Sequence, residues 1–277
     1  MNILNIAAFS AGDRGGNPAG VVIANVLPAA EEMQRVAALV GFSETVFAAS
    51  TGQGWRVRYF SPQTEIPFCG HATIALGAAL AAQGGAGAFR LDLNQSAISV
   101  EGYRQSGSWG AALQSPPTRS KVVNGAVVED ALGLFGYRFD DIDPRLPPAL
   151  IHAGADHLFI GLRERDRLAA MAYDFAQGQA LMRQLGVATI MLAHAQTPRV
   201  FYVRNAFAFG GIYEDPATGA AAAALGGFLR DLAWPHEGRI SVLQGDDMGV
   251  PCRIRVEIGA QEGASVRVSG TTRLLAA

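Results

Sequence analysis

Lysine is almost absent from this chain of 277 residues: Lys121 is the only one, and it lies just past a proline-rich linker. That is a poor place for a pyridoxal Schiff base. Cysteine is scarce too, and Cys69 and Cys252 make no disulfide framework. An excess of charge of either sign is missing, with 22 Lys+Arg against 24 Asp+Glu and a net charge of −2. Bulk attraction to nucleic acid or to anionic lipid is therefore excluded. There is no Gly-x-Ser-x-Gly elbow. Gly84-Gly-Ala-Gly87 follows a helical stretch, so it lacks the strand–turn–helix context of a dinucleotide fingerprint. His152 and His157, with Asp156 between them, have no evident third ligand for a metal. The start, Met1 to Phe9, lacks a basic segment followed by an apolar one, which sets a cytoplasmic, reduced location as the expectation. No cofactor, no metal, no nucleic acid and no membrane are expected; a small-molecule substrate is.

What the chain does contain is centred on Ile66–Ala82, a turn that opens into an apolar stretch. From His71 to Ala82 the sole ionisable side chain is His71 itself. A helix without a polar face is surrounded by protein. About twelve residues fall far short of the ~20 that span a bilayer. The spacing predicts a buried central helix, built of Ala and Gly so that strands can wrap it closely. Its first turn, Gly70-His-Ala-Thr73, offers unpaired N–H groups and partial positive charge to a carboxylate or phosphate.

The chain then repeats itself. Strands at Ile3–Phe9 and Val21–Asn25 lead to a helix over 28–41, a strand over 41–47 and another over 55–60. In the second half come a helix from Asp174 to Leu185, strands at 187–192 and 199–204, and a helix over 220–230. Gly41 and Gly186 lie 145 apart, Trp55 and Arg199 lie 144 apart, and Gly70 and Asp215 lie 145 apart. One offset thus aligns a helix, two strands and a buried Ala-rich helix, which indicates tandem duplication. Ser115-Pro-Pro-Thr118 is the linker, dividing the chain at 1–115 and 116–277, with return of the last strand to the first domain left open. Further strands are expected near 89–94, 97–101, 109–114, 240–243, 253–258 and 264–269.

Period-two alternation puts Phe42, Glu44 and Val46 on one strand face. Glutamate is seldom buried without a partner, so exposure of this face is the ordinary alternative. At the 145 offset Glu44 falls on Thr189, so a carboxylate exists in one half only, as a single acid/base would require. Cys69 falls on Glu214, so no thiol pair is present. Asp215-Pro216 is expected to cap and start the second helix. Cys69 stands either as a thiol activated by its helix start or as a small buried filler.

Six short motifs occur in order: Gly16-Asn-Pro-Ala-Gly-Val-Val22, Ser43-Glu-Thr-Val-Phe47, Arg58-Tyr-Phe-Ser-Pro62 with Glu65, Cys69-Gly-His-Ala-Thr73, Gly211–Gly219 and Gln244–Gly249. Over about residues 5–270 they resemble the phenazine-biosynthesis PhzF-like isomerase family. The resemblance implies an α+β fold of the diaminopimelate-epimerase type: two pseudo-symmetric domains, each a β-barrel around a central α-helix, with the active site between them. It also implies cofactor-independent isomerisation, usually in a homodimer, with the family's glutamate acid/base on Glu44, its histidine on His71 and its aspartate on Asp215. Main-chain groups of Gly70, Ala72, Thr73, Thr218 and Gly219 are expected to help bind a small carboxylate-bearing substrate. Ala220 and Val250 stand where the family commonly has serine and arginine. The rival expectations are a two-base amino-acid racemase or epimerase, and a non-catalytic small-molecule binding protein.

Overall fold

The structure, a computed structural model, describes residues 2–276. It forms two compact units, Met1–Gln114 with Ser269–Ala277, and Ser115–Val268.

The first unit runs β1 (Leu4–Ala8), β2 (Asn17–Ala24), α1 (Ala30–Val40), β3 (Thr45–Ser50), β4 (Trp55–Phe60), β5 (Glu65–Ile66), α2 (Gly70–Gly84), β6 (Gly87–Asp92), β7 (Ala97–Gln105) and β8 (Ser108–Gln114). The second runs β9 (Arg119–Val122), α3 (Ala126–Phe135), β10 (Ala149–His152), β11 (Asp156–Gly161), α4 (Arg165–Ala169), α5 (Phe175–Leu185), β12 (Thr189–Thr197), β13 (Val200–Ala206), α6 (Gly219–Asp231), β14 (Arg239–Gln244) and β15 (Cys252–Glu257). The last strand, β16 (Arg267–Leu274), belongs to the first unit from Ser269 onward.

In the first unit the strands follow the order β1-β2-β3-β4-β6-β7-β8-β16, and β16 pairs back onto β1 to close a barrel of eight strands. Helix α2 fills it. Every residue from His71 to Ala81 is buried, as the missing polar face predicts. The barrel wall comes close because side chains are absent where wall and helix meet. A Cβ on Gly77 would lie 2.6 Å from Val100 Cγ2, and one on Gly102 would lie 2.6 Å from the Gly77 carbonyl oxygen. Outside the barrel, α1 lays Met33, Val36 and Ala37 on Val22, Phe47 and Phe60. It stops at Gly41, whose φ of 71° is left-handed.

The second unit orders β15-β14-β13-β12-β11-β10-β9 around α6. Its strand directions repeat those of the first. From β2 through β3, β4 and β6 to β7 the pairings are parallel, antiparallel, parallel and antiparallel; from β11 through β12, β13 and β14 to β15 they are the same. Helix α5 repeats α1, capped by the Asp174 side chain and ended at left-handed Gly186. Elements α3, α4, β9 and β10 were not legible from the sequence pattern.

Two boundaries shift. Strand β2 begins at Asn17, earlier than Val21, and includes Pro18, because pairing with β3 starts only at Gly20 and the missing N–H faces no second neighbour. Strand β16 begins at Arg267 rather than 264 and runs on to Leu274 along β1.

Substituting Gly102→Ala is expected to destabilise the protein by about 1–3 kcal/mol, since the new methyl meets backbone that cannot rotate away. The check is a urea titration, with a lower midpoint and an unchanged slope.

Candidate active site

Glu44 ends the turn that follows α1. It lies just before β3, not within a strand as the alternation suggested, because the pairing with β4 begins at Thr45. Its carbonyl still accepts from Gly20 N–H at 3.1 Å, which ties the residue to β2. Its side chain is 18% exposed and turns toward the start of α2.

There, Glu44 Oε2 lies 3.3 Å from His71 Nε2, and His71 Nδ1 lies 3.3 Å from Cys69 Sγ. The Glu44–His71 approach is within ion-pair range but lacks hydrogen-bond alignment. Both Oε2 and Nε2 are shielded from solvent and neither has a hydrogen-bond partner. Buried polar atoms are rarely left so, which makes this pair the first candidate for a functional site. Cys69 itself is 8% exposed.

Behind this spot a buried chain of hydrogen bonds sets the helix start. The Tyr59 hydroxyl donates to Thr73 Oγ1 at 2.7 Å, and Thr73 Oγ1 donates to the Cys69 carbonyl, also at 2.7 Å. The Thr73 N–H goes to the same carbonyl at 3.0 Å. Thr73, expected to contact substrate, thus has both of its donors spent on Cys69. The N–H groups of Gly70, His71 and Ala72 precede the first backbone bond of the helix. Burial holds the Tyr59 phenol well above its usual pKa, so it stays a donor.

A clamp fixes the approach to the helix. Arg58 grips both oxygens of Glu65 at 2.7 and 2.6 Å, and that guanidinium holds the Glu65 carboxyl below its usual range. The second unit has the same device in Arg204 and Glu214, with Nε to Oε1 at 3.0 Å and both side chains at most 10% exposed.

These clamps correct the alignment of the two halves. Phe47 faces Arg58 and Leu192 faces Arg204, so the offset is 145 on one strand and 146 on the next. The β-bulge between Ala195 and Thr197 accounts for the added residue. The turn Phe207–Tyr213 then replaces the shorter Ser61–Thr64, and from Glu65 and Glu214 onward the offset is 149. Glu65-Ile-Pro-Phe-Cys-Gly70 therefore matches Glu214-Asp-Pro-Ala-Thr-Gly219, sharing Glu, Pro and Gly. Cys69 matches Thr218 rather than Glu214, and Asp215 matches Ile66 rather than Gly70. The repeated Glu-x-Pro-x-x-Gly spacing was the signal available in the sequence.

Asp215 is accordingly not the cap of α6. The helix begins at Gly219 with Thr218 in the cap position. Asp215 Oδ2 accepts the Thr218 hydroxyl at 2.6 Å, and its N–H bonds the Asn205 carbonyl at 3.0 Å. Gln244, fully buried, holds this segment from below. Its Nε2 donates to the Asp215 carbonyl at 2.6 Å and to Thr218 Oγ1 at 3.1 Å, and its Oε1 accepts the Thr218 N–H at 3.2 Å. Gln244 opens the last of the six sequence motifs, which by itself assigns it no role. Gly219 opens the helix half-buried, with Ala220 in its first turn.

The histidines set aside as metal ligands have structural partners. His152 Nδ1 lies 2.9 Å from Asp156 Oδ1, and His157 Nδ1 lies 2.7 Å from Thr189 Oγ1. Thr189 is the position that matches Glu44, so the second unit places a hydroxyl and a buried imidazole where the first has its carboxylate.

A profile of the family described as Phenazine biosynthesis-like protein matches residues 6–276. The trans-2,3-dihydro-3-hydroxyanthranilate isomerase of Pseudomonas fluorescens is 31% identical over 277 residues, covering 97% of this chain and 95% of that protein. An uncharacterized isomerase of Deinococcus radiodurans is 31% identical over 270 residues, covering 91% and 85% of the two chains. The crystal structure of a PhzF-family phenazine biosynthesis protein from Bacillus anthracis superposes with a TM-score of 0.87 at 24% identity, covering 100% of this chain and 98% of that one. A barrel closed on a buried helix, with its strand pattern repeated in the second unit, is an α+β fold of the diaminopimelate-epimerase-like class. Within that class the chain belongs to the PhzF family of isomerases. Among the described residues no helix is long and apolar enough to cross a membrane.

Two outcomes follow from this geometry. Gln244→Ala removes three hydrogen bonds at about 1 kcal/mol each and is expected to lower stability by ~2–4 kcal/mol, read by chemical denaturation. Burial pushes the His157 imidazole down to about 4, so the folded protein resists a proton that the unfolded chain accepts near pH 6.5. Stability should fall as pH drops from about 6.5 toward 4, by on the order of 3 kcal/mol from this residue. His157→Gln should flatten that slope in melting curves recorded across the interval.

Proposed function

We propose that this isomerase moves a proton between two carbons of a small, carboxylate-bearing substrate without a cofactor, with Glu44 as the one acid/base. The observation that carries the reading is the pair of buried, unpartnered atoms, Glu44 Oε2 and His71 Nε2, beside the first turn of α2. A substrate C–H brought to Oε2 gives up its proton to the carboxylate. The enolate-like anion that results is stabilised by His71 and by the Gly70–Ala72 N–H groups, aided by the helix dipole. Glu44 then returns the proton to a second carbon, and the charge is conserved without an external base.

Asp215 lies in the second unit, just before the start of α6. Its carboxylate is oriented by Thr218, whose backbone Gln244 holds. The relatives named for trans-2,3-dihydro-3-hydroxyanthranilate make a cyclic amino acid of that kind the first substrate to try. A working homodimer is part of this proposal, and sedimentation would test it.

A two-thiol racemase is disfavoured by the match of Cys69 to Thr218. Glu44→Gln is expected to lower turnover by at least ~10² -fold, the usual scale of a lost acid/base, while leaving the circular dichroism spectrum unchanged. A variant with unaltered rate would remove Glu44 from the role. In deuterated solvent, substrate hydrogen retained in the product supports a single-base shuttle, whereas a two-base racemase is expected to lose it during turnover.

A further inference from the structure

Glu44, Cys69 and His71 bring a carboxylate, a thiol and an imidazole to one buried spot, each with a donor atom within 4.8 Å of the others. We propose that this trio is a binding site for a thiophilic divalent cation, Zn²⁺ in the first instance, and that cation and substrate exclude one another there. The cation site stands on geometry alone; the exclusion rests on the functional reading above.

The spacing suits one ion. With Zn–N and Zn–O bonds of about 2.0–2.2 Å, the edge of a zinc tetrahedron is ~3.3–3.6 Å. The separation of Glu44 Oε2 from His71 Nε2 is 3.3 Å. Cys69 Sγ, 3.3 Å from His71 Nδ1, is the third donor, and one donor atom of each residue lies within 4.8 Å of the others, so an ion would draw the thiol in from that distance. Three protein ligands leave a fourth position open to water or to an incoming carboxylate.

Charge and chemistry agree with the spacing. A thiolate and a carboxylate supply two negative charges, which a divalent cation neutralises, and a neutral imidazole completes the set. Cys69 stands at the N-cap of α2, and a metal ion binds a cysteine as the thiolate. A thiolate ligand selects Zn²⁺, Co²⁺ or Cd²⁺ over Mg²⁺ and Ca²⁺, which prefer oxygen alone. Two of the three donor atoms, Oε2 and Nε2, are shielded and lack hydrogen-bond partners. A cation bonded to both would satisfy them together and would also occupy Oε2, the oxygen assigned to take the proton. The same cluster could thus act as an off-switch set by available zinc.

The test uses the full chain, purified with a reductant and stripped by a chelator. Titration with Co²⁺ should give a near-ultraviolet thiolate-to-cobalt band saturating at one equivalent, and Zn²⁺ should abolish it by displacement while Mg²⁺ does not. Cys69→Ser should lose the band and weaken Zn²⁺ binding by more than the ~10–100-fold that second-shell changes cost. His71→Asn, checked for native circular dichroism, should weaken it comparably, and Cys252→Ala should leave it unchanged. Absence of the band in the wild type, or equal Zn²⁺ affinity in the Cys69→Ser and wild-type proteins, overturns the site. Because these readouts need no substrate, they stand or fall apart from the isomerase assignment. With an active substrate in hand, Zn²⁺ should inhibit competitively and a chelator should restore the rate; inhibition independent of substrate concentration overturns the exclusion.

Discussion

The close approach of backbone to backbone inside the first unit is the constraint on which the rest depends. Helix α2 has no polar face, so its stability comes from burial on all sides, and burial on all sides demands a wall within van der Waals reach. Glycine supplies the clearance at Gly77 and Gly102, where any Cβ would strike the opposing element. The second unit solves the same problem with Gly226 and Gly227, where a Cβ would meet Val256 and Thr118. A helix packed this closely presents its first turn in one orientation, beside Glu44.

Around each helix start the two units use one framework with different contents. An arginine–glutamate clamp fixes the incoming segment in both. Tyr59 and Thr73 then build a buried hydrogen-bonded support in the first unit; the matching residues in the second are Asn205 and Ala222, and Gln244 supplies support instead. Duplication preserved the means of aiming a helix and let the aimed groups diverge. The carboxylate beside His71 has a threonine as its counterpart, paired there with the buried imidazole of His157.

Much of this was legible in the chain. An Ala-Gly run without charge could only be a buried helix, and the Gly41 and Gly186 stops are set by the left-handed conformation that ends a helix. The repeat was visible as well, but a single offset could not see a β-bulge and a longer turn, since both change residue count without changing what pairs with what. Asp215 was matched to Gly70, rather than to Ile66, for that reason. Its Asp-Pro is a strong local signal, yet the clamp at Glu214 and the grip of Gln244 carry the helix start to Gly219.

Local pattern thus decided which segments are helix or strand, that the chain is doubled, and which residue types could move a proton. Tertiary structure decided what those residues touch. That Glu44 meets His71, that His71 meets Cys69, and that Thr73 turns away to hold the helix start are contacts between segments up to 27 residues apart in the chain. Periodicity reports the face on which a side chain lies; the partner across that face is set by closure of the barrel, a property of all eight strands together.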